Sequence, residues 1–250
     1  MATATAELKG KTAIVTGGTR GIGRAIAERF LKAGANVVIT GRDAKKGMTA
    51  AEELDRTSSH LRCVPADQAR DADWSKVVDA ALSGFGRLDI LVANAGLSYP
   101  SPAIDITLHD FRAINAANLK GTFLGLKHAT AAMRRHGEGG SIILLASIVG
   151  IIGSRNFLHY AASKGGVRLM AKAAALELGP EKIRVNSIHP GLVKTDMTER
   201  FDEKVYANAI PMGRFAQPSD IAGAALFLAG PRSQFVTGSQ VVVDGGFTIQ

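Results

Sequence analysis

The 250-residue chain is short of several things, and each shortage removes a class of protein. It has one cysteine, Cys63, so no intramolecular disulfide can form, and a reducing cytoplasmic setting is expected. Its histidines, at 60, 109, 128, 136, 159 and 189, never fall at metal-ligand spacing, so no metal is expected. No apolar run approaches the ~18 residues of a membrane-spanning helix, and the opening MATATAELKGK has no signal-peptide core. No membrane association is expected. Aromatic residues are scarce, at 6%, and do not interleave with the basic ones. The net charge of +8 is scattered in short pairs such as Lys45-Lys46 and Arg134-Arg135, without the stripe that nucleic acid requires. Such a charge suits an anionic small molecule, a phosphorylated cofactor or an acidic carrier. Linkers, repeats and low-complexity tracts are absent as well, and 46% hydrophobic residues are enough for one large core. One α/β domain spanning 1–250 accounts for the whole chain.

What is present centres on residues 147–164, SIVGIIGSRNFLHYAASK. The preceding apolar run Ile142–Ala146 reads as a buried strand. A glycine-containing loop follows, then a helix from about Phe157. Tyr160 and Lys164 stand four apart on that helix and so share one face. An ammonium beside a phenol favours tyrosinate and lowers its ordinary pKa of about 10. Ser147, at the strand's end, is placed for its hydroxyl to hold an oxygen that Tyr160 protonates. Taken alone, the Tyr/Lys pair is an ordinary amphipathic face. It becomes chemistry if the chain also binds a hydride donor.

The other end of the chain supplies the means. Thr12–Thr16 is a short β-rich run, followed at once by Gly17-Gly18-Thr19-Arg20-Gly21-Ile22-Gly23 and a helix over Arg24–Lys32. Strand, glycine turn and helix are the context a dinucleotide motif needs. Glycines let the backbone approach a pyrophosphate, and the helix N-terminus offers free N–H groups. The spacing is G-x-x-x-G-x-G, and Val37–Thr40 follows as a second strand. Further along, the pattern predicts helices over 43–57, 71–85, 107–135, 157–178 and 218–228. It predicts strands over 61–66, 88–93, 184–188 and 240–243. The alternation implies a Rossmann-type, doubly wound, seven-stranded parallel sheet in three α/β/α layers, ordered 3-2-1-4-5-6-7, with ligands at the carboxyl ends of the strands.

TGGTRGIG, the ANAG of 93–96, Ser147, Y-x-x-x-K and the late Pro190-Gly191 turn together resemble the short-chain dehydrogenase/reductase family over essentially the whole chain. The resemblance implies Asn118, Ser147, Tyr160 and Lys164 as the catalytic set. Asn118 would distort its helix and hold a water linking Lys164 to solvent, with Asn115 a near competitor. It implies cofactor contacts from Gly17, Thr19, Arg20, Gly21, Ile22 and Gly23. Asn94, Ala95 and Gly96 would line the cofactor, and Tyr160 and Lys164 would touch it. Pro190, Gly191, Val193 and Thr195 would pass beneath the nicotinamide. Asp67, with Gln68 beside it, would meet the adenine edge, and a helix N-cap is an equal reading of Asp67.

The end of the second strand chooses the cofactor. Gly41-Arg42 stands where an NAD enzyme of this kind carries an acid, and Arg42 with Arg20 suits a 2′-phosphate, so NADP(H) is expected. Val149, Leu158 and Leu192, with Ser147 and Tyr160, are expected to line the substrate site beneath a mobile lid over 196–214. That wall suits a neutral, rather hydrophobic ketone or secondary alcohol. GRDAKKG, SKGGVRLMAKAAALEL, VNSIHPGLVKT and the final VVVDGGFTIQ are most similar to the secondary-alcohol dehydrogenase/carbonyl reductase branch. A 3-oxoacyl-carrier-protein or acyl-CoA reductase is the alternative, and a non-catalytic NADP-binding sensor a remote one. The resemblance also implies a homotetramer, for which Ala129, Ala132, Ala171, Ala174 and Ala175 are candidate interface residues, or else simple packing on the sheet.

Overall fold

β-Branched and leucine runs too apolar for one-sided burial can be satisfied only inside a parallel sheet covered on both faces. The computed structural model, which describes residues 6–57 and 59–249, shows this arrangement. Its strands are β1 (Thr12–Thr16), β2 (Asn36–Gly41), β3 (Leu61–Pro65), β4 (Ile90–Ala93), β5 (Gly140–Leu145), β6 (Ile183–Pro190) and β7 (Gln240–Val243). They form one parallel sheet in the order β3-β2-β1-β4-β5-β6-β7. β1 and β4 are buried throughout, whereas β7, at one edge, is only partly covered. The order reverses between β1 and β4, so their carboxyl ends diverge and open a cleft.

The two faces are covered by different helices. α1 (Gly21–Lys32), α2 (Ala44–Leu54) and α8 (Pro218–Ala229) pack Ile26, Phe30, Ala50, Ile221 and Leu226 against one side. α3 (Asp71–Phe85), α5 (Gly121–His136) and α6 (Leu158–Leu178) pack Trp74, Val77, Met133, Val167 and Leu178 against the other. Among the described residues, no helix is long and apolar enough to cross a membrane.

Several boundaries differ from the sequence reading. α1 begins inside the glycine motif at Gly21, three residues before Arg24. The run from Leu88 is interrupted by Asp89, whose buried carboxylate takes the Thr12 N–H at 3.0 Å and pairs with Lys11 and Arg87. β6 extends through His189 and Pro190. The stretch 107–135 is not one helix. It is α4 (Leu108–Asn115), a π-helical turn over Ala116–Lys120, and then α5. Residues 196–214 contain the short α7 (Glu203–Tyr206) and a 3₁₀ turn over Ala207–Ala209. Ala129, Ala132, Ala171, Ala174 and Ala175 are all buried in the chain's own core, so simple packing is the correct reading of them.

Candidate active site

The cleft at the strand ends has a volume of about 510 Å³. Along one side run Gly17, Thr19, Arg20, Gly21 and Ile22. Arg42, Asp67 and Gln68 lie toward β2 and β3, and Asn94, Ala95 and Gly96 follow β4. Ser147, Tyr160 and Lys164 face it from β5 and α6, and Pro190, Gly191, Val193 and Thr195 from β6.

The glycine turn has the shape its sequence promises. Gly21 has φ +54°, and a Cβ there would sit 3.2 Å from Thr195. Gly23 does not line the cleft; its role is closeness, since a Cβ there would lie 2.3 Å from the Gly17 carbonyl oxygen. Arg20, the N-cap of α1, makes no side-chain cap, so the first-turn N–H groups face the cleft with no side chain covering them. These features fit the diphosphate of a dinucleotide. At the outer end, Arg42 is exposed and lines the cleft, while Arg20 is bonded to Asp196 at 2.6 Å.

The β4 loop is braced from below. The Asn94 amide donates to the Thr16 carbonyl at 2.8 Å, and Thr16 Oγ1 accepts the N–H of both Asn94 and Ala95. Gln68 donates to the carbonyls of Ala95 and Ala117, tying this loop to the π-helical turn. Asp67 is not the N-cap of α3: that place belongs to Arg70, and Asp67 instead accepts the Ala69 N–H at 2.9 Å in a tight turn.

Asn118 sits in the π-helical turn, fully buried. Its Oδ1 accepts the Leu97 N–H at 2.7 Å. Its Nδ2 donates to the Leu97 carbonyl and to Ser163 Oγ, both at 3.0 Å. Asn115 donates back to the Phe111 carbonyl on its own helix at 2.8 Å, which separates the two candidates. A Cβ on Gly96 would lie 3.0 Å from Asn118 Oδ1 and 3.7 Å from Lys164 Nζ, so the absent side chain keeps these two groups side by side.

Ser147 Oγ accepts the Val149 N–H at 3.2 Å, which leaves its own proton to donate. Lys164 is buried, and its Nζ donates to the Leu145 carbonyl at 2.6 Å, 5.8 Å from the centroid of the Tyr160 ring. Desolvation pulls the Lys164 ammonium down to about 8. Burial pushes the Tyr160 phenol up, with the nearby Ser147 hydroxyl acting the other way. The lowering of Tyr160 expected from Lys164 does not appear: the phenol moves upward because burial disfavours the tyrosinate, and the group that opposes this is Ser147.

On the substrate side the sequence reading needs correction. Val149, Leu158 and Leu192 do not line the cleft, and Leu158 is exposed. After Ser147 the chain turns away in a 3₁₀ turn, Ile148–Gly150. Leu97, Ser98, Met197 and Arg200 line the cleft instead. Sequence reasoning also missed His189, which is fully buried, hydrogen bonded to the Ser147 carbonyl at 3.1 Å and to Ser187 Oγ at 2.9 Å. It fixes the Ser147 backbone from beneath. A histidine at the end of an apolar strand was the available signal.

Comparison with known proteins agrees with this geometry. The family model described as enoyl-(acyl carrier protein) reductase matches residues 17–248. An NADP-dependent (R)-specific alcohol dehydrogenase of Lentilactobacillus kefiri is 42% identical over 98% of this chain and 100% of its own length. A trans-4-hydroxycyclohexanecarboxylate dehydrogenase of Sinomonas cyclohexanicum is 39% identical, over 95% of this chain and 93% of its own. The crystal structure of a short-chain type dehydrogenase/reductase from Mycobacterium marinum superposes with a TM-score of 0.94. It is 34% identical and covers 98% of both chains. The chain belongs to the short-chain dehydrogenase/reductase family. It is accordingly an oxidoreductase that uses a nicotinamide cofactor.

Proposed function

We propose that this enzyme reversibly reduces a ketone to a secondary alcohol with NADP(H), using Tyr160 as the acid in reduction and the base in oxidation. The observation that carries the reading is the convergence of Ser147, Tyr160 and Lys164 on one cleft whose other arm is the glycine turn. The nicotinamide, when bound, supplies the hydride. Ser147 and Tyr160 hold the substrate oxygen, and Tyr160 gives it a proton as negative charge develops. Such acid catalysis is worth about 10²–10⁴ in rate. Lys164 holds the nicotinamide ribose and passes protons onward beside Asn118. The glycine turn and Asn94–Gly96 seat the diphosphate and its ribose, with Asp67 and Gln68 at the adenine end.

NADP(H) over NAD(H) is supported by exposed Arg42 and by Arg20, both on the cleft, and by a relative named for NADP dependence. A carbonyl reductase is supported by relatives named as alcohol, hydroxysteroid and hydroxycyclohexanecarboxylate dehydrogenases. The description of the matching family model favours a second reading, a reductase acting on carrier-bound acyl thioesters. We also place the enzyme in the cytoplasm, where the half-buried Cys63 thiol, its pKa pushed up by desolvation, stays reduced. We read it as a homotetramer, in keeping with exposed Leu169 and Leu176 on α6 and Phe235 and Ile249 toward the C-terminus.

The test follows NADPH consumption with an aryl, an aliphatic and a cyclic ketone and an acetoacetyl thioester, with NADH in parallel. Fast turnover of simple ketones supports the first reading. A dominant thioester signal moves the enzyme to acyl-chain chemistry. Tight NADPH binding without any turnover overturns catalysis altogether.

A further inference from the structure

Among the described residues four cations line the cleft, of which two are engaged within the chain and a third, Arg42, is assigned to the cofactor by the reading above. Lys164 is held by the Leu145 carbonyl, Arg42 lies at the outer end toward β2, and Arg20 is paired with Asp196. The fourth, Arg200, is exposed and lines the cleft beside Phe157, the ring next to Tyr160. Neighbouring cations are neutralised, Lys194 by Glu203 and Arg214 by Asp220. No carboxylate among the described residues pairs with Arg200.

The setting of Arg200 is nevertheless ordered. Its guanidinium lies 5.2 Å from the Phe201 ring centroid and 5.9 Å from that of Phe157, and one N–H reaches the Ser98 carbonyl at 3.3 Å. Phe157 in turn stands edge-on to Tyr160, with centroids 6.2 Å apart. Aromatic faces orient a planar guanidinium without consuming its donors. Of five N–H groups, one is spent on a carbonyl, and the remaining fork suits a carboxylate. The guanidinium is thus one aromatic ring removed from the phenol that protonates the substrate oxygen.

From this placement we infer that the enzyme selects ketones bearing a carboxylate, held by Arg200. The inference rests on the ketone-reductase reading above. It corrects the neutral substrate that the apolar sequence around Ser147 suggests, because Val149, Leu158 and Leu192 leave the wall and Arg200 enters it.

The test compares 4-acetylbenzoate with its methyl ester, which has nearly the same shape and no charge, and includes acetophenone as a plain ketone. The wild-type enzyme should favour the acid over the ester about two- to fivefold in kcat/KM, the scale of an exposed ion pair. In Arg200→Gln that ratio should collapse toward one, and Arg200→Lys should restore part of it. High salt should shrink the wild-type ratio, as expected for an exposed ion pair. Equal wild-type rates for acid and ester, or an acid-to-ester ratio that Arg200→Gln leaves unaltered, overturn the inference while leaving acetophenone turnover and the ketone-reductase reading intact. Failure with all three ketones brings down that reading, and the inference with it.

Discussion

Lys164 gives a hydrogen bond to the carbonyl of Leu145 at 2.6 Å and not to Tyr160, whose ring centroid lies 5.8 Å from its Nζ. Both groups stand in a desolvated site, which pushes Tyr160 up and pulls Lys164 down to about 8. A protonated phenol is the form that reduction needs, and tyrosinate is the form that oxidation needs. Ketone reduction should hold through neutral pH and fall as the solution becomes alkaline, while alcohol oxidation should rise over the same range. Initial rates in both directions from pH 6 to 10 check this, and a reductive optimum more alkaline than the oxidative one would count against Tyr160 as the proton donor.

Two variants separate chemistry from architecture. Tyr160→Phe removes the exchangeable proton and should abolish turnover while NADPH binding persists. Lys164→Met should also lose activity, but its stability effect runs the other way. The folded pKa of about 8 lies below the free value of 10.5, so between them the unfolded chain holds a proton that the folded chain has released. Stability gained from this group thus rises with pH across that window, and below it the buried ammonium is a cost of roughly 3 kcal/mol. Methionine removes that cost and leaves the Leu145 carbonyl without its donor, a loss of about 1–3 kcal/mol. At neutral pH the variant should melt at or a few degrees above the wild type. A large drop in Tm would mean that the lysine is chiefly structural.

The cofactor arm yields a third expectation. The bond between Arg20 and Asp196 occupies a guanidinium that a 2′-phosphate would otherwise engage. Both partners are exposed, so Asp196→Asn should tighten NADPH about two- to fivefold, the scale of a surface ion pair, with little change for NADH. Replacing Gly41 by Asp together with Arg42 by Ile should shift the preference toward NADH. The new Cβ at 41 would lie 2.9 Å from Thr19 Cγ2, so the Thr19 side chain must turn aside. An unchanged ratio of kcat/KM for the two cofactors in the double variant would remove Arg42 from cofactor selection.

These residues also show what a sequence can express. The sheet order, the glycine turn and the Tyr160–Lys164 face follow from local periodicity and spacing, and each recurs in the structure. The π-helical turn at 116–120 is different. AANLK keeps a helical pattern, so periodicity does not mark the turn; the family resemblance alone implied that Asn118 distorts its helix, and the widened turn carries Asn118 to Leu97 and Ser163. The substrate wall was illegible for a similar reason. Apolar character at Val149, Leu158 and Leu192 says that they are suited to burial, not which way the chain turns after Ser147. The carbonyl partner of Lys164 left no mark at all, since every residue has a carbonyl.

His159, the residue before Tyr160, gives the last expectation. It is fully buried on α6, edge-on to Tyr99 at 5.1 Å, and neither ring nitrogen has a hydrogen-bond partner. Desolvation pulls its pKa below 6.5, and the charge of Asp110, which also accepts from Tyr99, opposes this only in part. The unfolded chain therefore takes up a proton near pH 6.5 that the folded chain refuses. Stability falls as pH drops through 6.5 toward the folded pKa. His159→Leu has similar volume and no polar atoms to strand, so it should be neutral or stabilising near pH 7 and should flatten the acid limb of the stability profile. Denaturant midpoints at pH 5, 6 and 7 for both proteins decide the matter. Parallel acid limbs would show that His159 keeps a partner when the chain is in water, and that the acid sensitivity belongs to the paired carboxylates.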